Sequence, residues 1–420
     1  MSLYLTYLLY AIPMFVLLII IEMIAAKLKG VEVNHSADMI SSLSSGITNT
    51  TRDSLKFGVA IISYAWLVDH VTVIKLEPVW LAVIIAFTVQ DFSGYWLHRM
   101  NHRVNVFWNR HIIHHSSEEF NLSCALRQSI SDTFHFGAVF MIPAALLGIP
   151  ASVFAIVGPI HLFMQFWYHT RLIDKMGWLE HIIVTPSHHR VHHAINPEYI
   201  DKNYGQIFII WDKMFGSFQP ELKEVEPVYG IIRPAGTWNP VIINFKHLWQ
   251  LIKDAWHAEK WLDKLRIWFM PTGWRPEDVA QKFPIKTIEN PADQVKYFTN
   301  NSKWLLGWSW LQLILTNVFM IHLFFVIASY DKSWIFLYAA FILMHVFSYT
   351  SVLDGKSYAV GGELAKLGCG VVLLYFQNLT WFGHQGIIVQ GFVFYLVLSA
   401  VMTVAFLLKD KQPTPSFIPA

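Results

Sequence analysis

The chain has only two cysteines in 420 residues, Cys124 and Cys369. They cannot build a disulfide framework, and neither has the thiol partners that a cysteine-rich metal site needs. Charge is scarce as well. Only 14% of residues are Asp, Glu, Lys or Arg, against roughly 25% in ordinary soluble domains. No dense Lys/Arg face appears, and a net charge of +2 excludes nucleic acid as a partner on electrostatic grounds. No Gly/Ser linker, low-complexity tract or internal repeat divides the chain.

Hydrophobic residues fill the space, at 54% of the total. Runs approaching the ~20 apolar residues that cross hydrocarbon lie at 3–26, 57–74, 79–97, 304–329, 334–348 and 387–408, with a weaker one at 367–382. The first is too long for a secretory signal and lacks a small-residue cleavage site, so it reads as a retained anchor. Shorter runs at 134–147 and 151–167, broken by Gly148, Ile149 and Pro150, read as a helical hairpin short of a full crossing. The expected fold class is therefore all-α: a multi-span integral membrane protein.

Short-loop Lys and Arg set its orientation. Lys27 and Lys29 follow the first run and place its end in the cytoplasm; the next two runs go out and back, with Lys75 in the outer turn, and deliver Arg99, Arg103 and Arg110 to the inner side. Four units follow: N-terminal anchor helices at 1–78, a catalytic domain at 79–235, a wetter Trp-rich segment at 236–303, and C-terminal membrane helices at 304–420. Within the third, residues 245–269 put Leu248, Ile252, Ala255 and Trp256 on one side among lysines. That pattern suits either a helix lying in the headgroup layer or one packed on a cytosolic cap.

Histidine is the one polar residue in surplus: 13 of the 20 lie between His98 and His193. HRMNH sets His98 and His102 at i and i+4 on a helix extending the third run. HIIHH sets His111, His114 and His115 at i, i+3 and i+4. HHRVHH repeats that spacing with His189, His192 and His193 and adds His188. Each pattern puts its rings on one helical face. A metal such as zinc needs three or four protein ligands, so eight imidazoles imply two ions. On the return arm of the hairpin, His161 and His169 flank Gln165 at four-residue steps and share a broad face. His169, nearer the cytoplasmic end, is the better ninth ligand, while His161 is open to ligation, support or packing. Asp91, seven residues before His98, is placed to orient a ligand ring through its free N–H.

A proton relay would strew single residues through the bilayer depth, whereas these rings cluster at its edge. Imidazole suits zinc, copper, iron and nickel alike. Zinc hydrolases commonly carry a carboxylate inside the motif, as in HExxH, and none of these clusters does. A pair of irons, sharing the electrons needed to split O2 and attack an unactivated C–H bond, fits better. A membrane zinc hydrolase and a metal or proton transporter remain as rivals. The site's place at the bilayer edge suggests a lipid substrate drawn in laterally.

LHRMNH, NRHIIHHSSEEFN, QFWYHT and TPSHHRVHH, followed by DKNYG and WDKMFGSF, resemble the fatty acid hydroxylase and sterol desaturase superfamily of membrane di-iron enzymes over about residues 80–235. The resemblance implies two irons held by His98, His102, His111, His114, His115, His189, His192 and His193, with His169 and His188 as further candidates. It also implies O2, a lipid substrate and a reductant or electron-transfer protein. The likeness is strongest to the branch that oxidises alkylglycerols beside the ether oxygen with electrons from tetrahydrobiopterin. That branch typically has Glu after HxxxH, where this chain has Arg103; other branches act on sterols, carotenoids or acyl chains. Asn121, Asn203 and Tyr204 are candidates to support the ligands, Glu118 and Glu119 to cap a helix or pair with Arg127, and Trp211 and Phe215 to anchor at the interface. Bacterial inner membrane and endoplasmic reticulum are both compatible locations.

Overall fold

The computed structural model describes residues 3–56, 59–409 and 416–419, and it is mostly helical. Among the described residues, six helices are long and apolar enough to cross a membrane: Leu5–Lys29, Val79–Arg103, Lys303–Val326, Lys332–Leu353, Ala359–Phe376 and Ile387–Lys409. Their backbone groups bond within each helix, the condition for entering hydrocarbon.

The expected run at 57–74 is not a long helix. Among the described residues only Tyr64–Val71 is helical there, since the β-branched series Val71, Thr72, Val73, Ile74 favours extended backbone. The freed amides of Val73 and Ile74 donate to the Leu146 carbonyl, and that of Leu76 donates to Leu147. The hairpin partner is equally broken, into Ile142–Leu146 and Ala151–Phe163. Gly148 turns it at φ +62°, where a Cβ would stand 2.7 Å from the Ile74 carbonyl oxygen. Ala82, Ala86 and Ala144 pack with Ile149 and Val157, small side chains that let the backbones approach closely.

A helix not anticipated from hydropathy, Ser36–Ser54, runs through the interior. Its Ser41, Ser42, Ser44, Ser45, Thr48 and Thr51 are all buried. Thr48 and Thr51 return their hydroxyls to carbonyls of the preceding turn, which removes the cost of burying them. Against this helix pack Lys303–Val326 and Lys332–Leu353, the centre of the C-terminal bundle.

The 245–269 segment forms two helices, Pro240–His257 and Trp261–Arg266. Pro240–His257 starts where the Asn239 side chain accepts from the amides of Val241 and Ile242. One face of it carries exposed Phe245, Trp249, Ile252 and Trp256; the other faces inward toward the histidines.

Candidate metal centre

The histidines converge from four elements. His98 and His102 end the Val79–Arg103 helix; His111, His114 and His115 occupy the one-turn Ile112–His115 segment and its cap. His189, His192 and His193 sit on Pro186–His192, which opens with Thr185 and His188 in a reciprocal capping box. His169 arrives from the turn after Ala151–Phe163.

They form two groups. His98, His102, His111, His115 and His192 make one, and His114, His169, His189 and His193 the other, with the donor atoms of each group within 4.8 Å of one another. Each HxxHH segment is divided between the two. Positions i and i+4 lie about 40° apart around a helix, while i+3 and i+4 differ by about 100°. His111 and His115 therefore serve the first group and His114 the second; His189 and His193 serve the second and His192 the first. The groups abut where His115 stacks on His193, with ring centroids 4.3 Å apart.

Hydrogen bonding fixes what these rings offer. The Nδ1 atoms of His98, His192, His114 and His169 lie 2.8, 2.9, 3.2 and 3.3 Å from the carbonyl oxygens of Tyr204, Lys202, Arg127 and Phe166. A carbonyl only accepts, so each Nδ1 carries the proton and each Nε2 presents a bare lone pair. Yet Nε2 of His169 stands 3.3 Å from Nε2 of His114 and 2.8 Å from that of His189, and His193 closes the ring at 3.1 and 3.0 Å. The facing lone pairs of His114 and His169 repel unless a cation lies between them. An ion about 2.1 Å from each nitrogen sets neighbouring donors about 3 Å apart, so this donor set fits a metal. In the first group His98 and His111 approach to 2.8 Å and His102 and His115 to 3.1 Å, while His192 Nε2 is buried with no partner.

Burial, reinforced by neighbouring imidazoles, holds His111, His115, His169, His189, His192 and His193 well below the usual histidine value, and His114 at about 3. The rings are neutral near pH 7, the form that binds metal. Neither group includes a carboxylate or a cysteine.

Other expected residues take different places. His188 lies outside both groups: its ring caps Thr185 and packs on Phe218, because one residue's step from His189 turns it about 100° away. The Ala151–Phe163 helix stops before Gln165, so His161 and His169 do not share a helical face. His161 donates to Asp91 at 2.8 Å instead. Asp91 consequently orients no ligand ring; it also accepts from the Ile207 and Phe208 amides and from Trp211 Nε1, tying down the loop that meets His98. Asn121 bonds the Val33 carbonyl and the Ser123 amide, away from the rings. Asn203, at φ 55°, pins the DKNYG turn through the His188 and Gln219 carbonyls. That turn aims the Tyr204 carbonyl at His98, and the Tyr204 ring lies against His98, His102 and His192.

Several supports were not anticipated. Asp212 accepts from the amides of Tyr204 and Gly205 and from Ser217. Arg127 pairs not with Glu118 or Glu119 but with buried Asp38, at 2.6 Å, and its carbonyl holds His114. Glu119 pairs with Lys296, and Glu118 accepts from the Tyr297 amide. Trp211 and Phe215 pack on Phe92 rather than standing free at an interface. Arg103 binds Asp201 at 2.9 Å, and the other oxygen of that carboxylate faces His102 Nδ1 at 3.8 Å. No local pattern signals these partners, which lie 70 to 120 positions apart for the pairs formed by Asp38, Asp91 and Arg103.

A cavity of about 490 Å³ opens beside the first group, walled by His102, His115, His192 and His193. Trp108, Ile112, Ile195, Ile231 and Ile243 line its apolar end; Arg233, Lys246, Gln250, Asp254 and Arg275 line the rest.

Comparison with known proteins agrees with this geometry. The fatty acid hydroxylase family model matches residues 83–217, the stretch holding every histidine of both groups. Alkylglycerol monooxygenase of Homo sapiens is 34% identical over 379 residues, covering 89% of this chain and 82% of that protein; the Danio rerio protein is 35% identical, covering 87% and 81%. An ornithine lipid hydroxylase of Rhizobium tropici is 31% identical over 141 residues, 34% of this chain and 43% of its own. No solved structure matches significantly. With its paired histidine groups at the end of a membrane-spanning helix, this chain belongs to the fatty acid hydroxylase family of membrane oxygenases.

Proposed function

We propose that the chain is an O2-dependent di-iron lipid monooxygenase acting on the carbon beside the ether oxygen of an alkylglycerol. The observation that carries this reading is the nine-imidazole, two-group donor set at the wall of a largely apolar cavity, supported by two alkylglycerol monooxygenases that align along most of their length. His98, His102, His111, His115 and His192 would hold one iron, and His114, His169, His189 and His193 the other. Bound there, two irons supply O2 activation and attack on a C–H bond. Residues 79–235 form the catalytic unit, with the histidines on the cytoplasmic side of a bacterial inner membrane or endoplasmic reticulum.

The chain's own residues hold and shield. The carbonyls of Tyr204, Lys202, Arg127 and Phe166 keep the protons of His98, His192, His114 and His169 on Nδ1, and the wall of Trp108, Ile112 and Ile243 excludes water around the reacting carbon. The exposed stripe of Phe245, Trp249, Ile252 and Trp256 lies in the headgroup layer, which lets a lipid enter sideways. Overall, one oxygen atom enters the C–H bond and the other leaves as water, with two electrons and two protons supplied by the reductant. The hemiacetal so formed breaks its C–O bond to give a fatty aldehyde and a glycerol derivative. Tetrahydrobiopterin and an electron-transfer protein are the two candidate donors. Arg103 is compatible with the former because Asp201 neutralises the reversed charge.

The test is turnover of a 1-O-alkylglycerol by the purified full chain in nanodiscs under 18O2. Label in the aldehyde's precursor or in water, with no product under nitrogen or without reductant, is expected. Product formed anaerobically would replace this reading with a metal-dependent hydrolase.

A further inference from the structure

Resting on the reading of the cavity as the substrate site, we infer that Arg233 and Lys246 form an anion subsite within it, so that the preferred lipid carries a phosphate or carboxylate headgroup. The cavity wall follows one face of Pro240–His257 through Ile243, Lys246, His247, Gln250, Leu251 and Asp254, about 16 Å at 1.5 Å per residue. Its histidine end is apolar: Ile243 packs with Ile112 and Ile231. Polar groups begin one turn further along.

Of the charges on the wall, Arg103 is matched by Asp201, and Arg275 by Asp254 through two bonds of 2.7 and 2.9 Å. Arg233 and Lys246 have no such partner. No carboxylate lies within 4 Å of either among the described residues. Among the described residues Arg233 donates only to the Gln250 side chain, which leaves most of its five donors without a protein acceptor. Lys246 spends two bonds on the carbonyls of Pro234 and Ala235 and has a third N–H. Burial, together with Arg233, brings Lys246 down to about 8, and Asp254, the carboxylate that acts on Arg233, is already bound to Arg275. Two unmatched cations beside an apolar wall suit a single-chain lipid with an acidic head. Their position one to two turns from Ile243 puts the reacting carbon within about 10 Å of that head.

The experiment is equilibrium binding of radiolabelled hexadecyl phosphate and hexadecanol to the full chain in neutral detergent, which needs no turnover and so stands apart from the test of the reaction. The wild type should hold the phosphate at least about tenfold more tightly than the alcohol. Arg233→Gln with Lys246→Met should erase that preference while binding the alcohol as before. Arg233→Lys serves if the double variant does not fold, and should keep part of the preference. Inorganic phosphate competing only at millimolar concentration assigns the site to a lipid head. Equal binding of the two lipids by the wild type, or a preference that survives the double variant, would overturn the subsite, as would inorganic phosphate binding alone as tightly as the lipid. Loss of oxidation with the anion preference intact would overturn the reaction and leave the subsite standing.

Discussion

Alanine at His192 is expected to abolish lipid oxidation and to lower bound iron from two ions per chain to one or fewer. His192 contributes the only ligand that Pro186–His192 gives to the five-histidine group. Its Nδ1 is fixed on the Lys202 carbonyl and its Nε2 is buried without a partner, so no side chain of the wall can take its place. Losing a first-row metal ligand whose orientation is set in this way costs well beyond the 10–100-fold that follows from disturbing a supporting bond alone. His188→Ala is the matched control: its ring belongs to neither group, and it should keep iron and most activity. Metal analysis of both variants beside aldehyde formation decides the matter. Full activity in His192→Ala would remove the di-iron reading.

The second large effect concerns stability. Asp38→Ala should destabilise the protein by about 3–5 kcal/mol, the usual cost of stranding one member of a buried ion pair. Arg127, 1% exposed, donates to Asp38, Ser42 and Ser116, and Ser117 also donates to Asp38. Without the carboxylate, a guanidinium sits in the interior with no carboxylate bonded to it. Gln281→Ala, which removes an exposed bond to Glu277, should cost less than about 1 kcal/mol. Thermal unfolding in detergent compares the two. Because the Arg127 carbonyl holds His114, Asp38→Ala should also release iron at lower temperature. An unchanged midpoint would show that the pair is not a support.

Much of the metal centre could be read from spacing, since HxxxH and HxxHH place rings on defined helical faces whatever surrounds them. What spacing could not tell was that a one-turn helix would point its third and fourth positions at different ions. That depends on how Ile112–His115 and Pro186–His192 cross. The supports were the least legible part. Asp91 lies close to His98 in sequence but is consumed by His161 and the 207–211 backbone, partners known only once the chain is folded. Hydropathy found the six long helices and misread 57–74, where β-branched residues extend the backbone against the hairpin. It passed over Ser36–Ser54 because hydroxyls that bond their own helix count as polar on any scale and yet pack as core.

Nine neutral imidazoles and no carboxylate in either group leave the centre with no ligand charge at all. Two divalent ions held there would bring four positive charges into a mostly buried site, where the carboxylate facing a ligand ring, Asp201 at 3.8 Å from His102 Nδ1, is already paired with Arg103. With irons in both groups, the all-imidazole donor set is expected to favour the ferrous state, to raise the midpoint potential above that of a carboxylate-bridged pair, and to draw in small anions such as azide. Spectroelectrochemical titration with and without azide reads both effects, and a potential at or below that of carboxylate-bridged centres would contradict them.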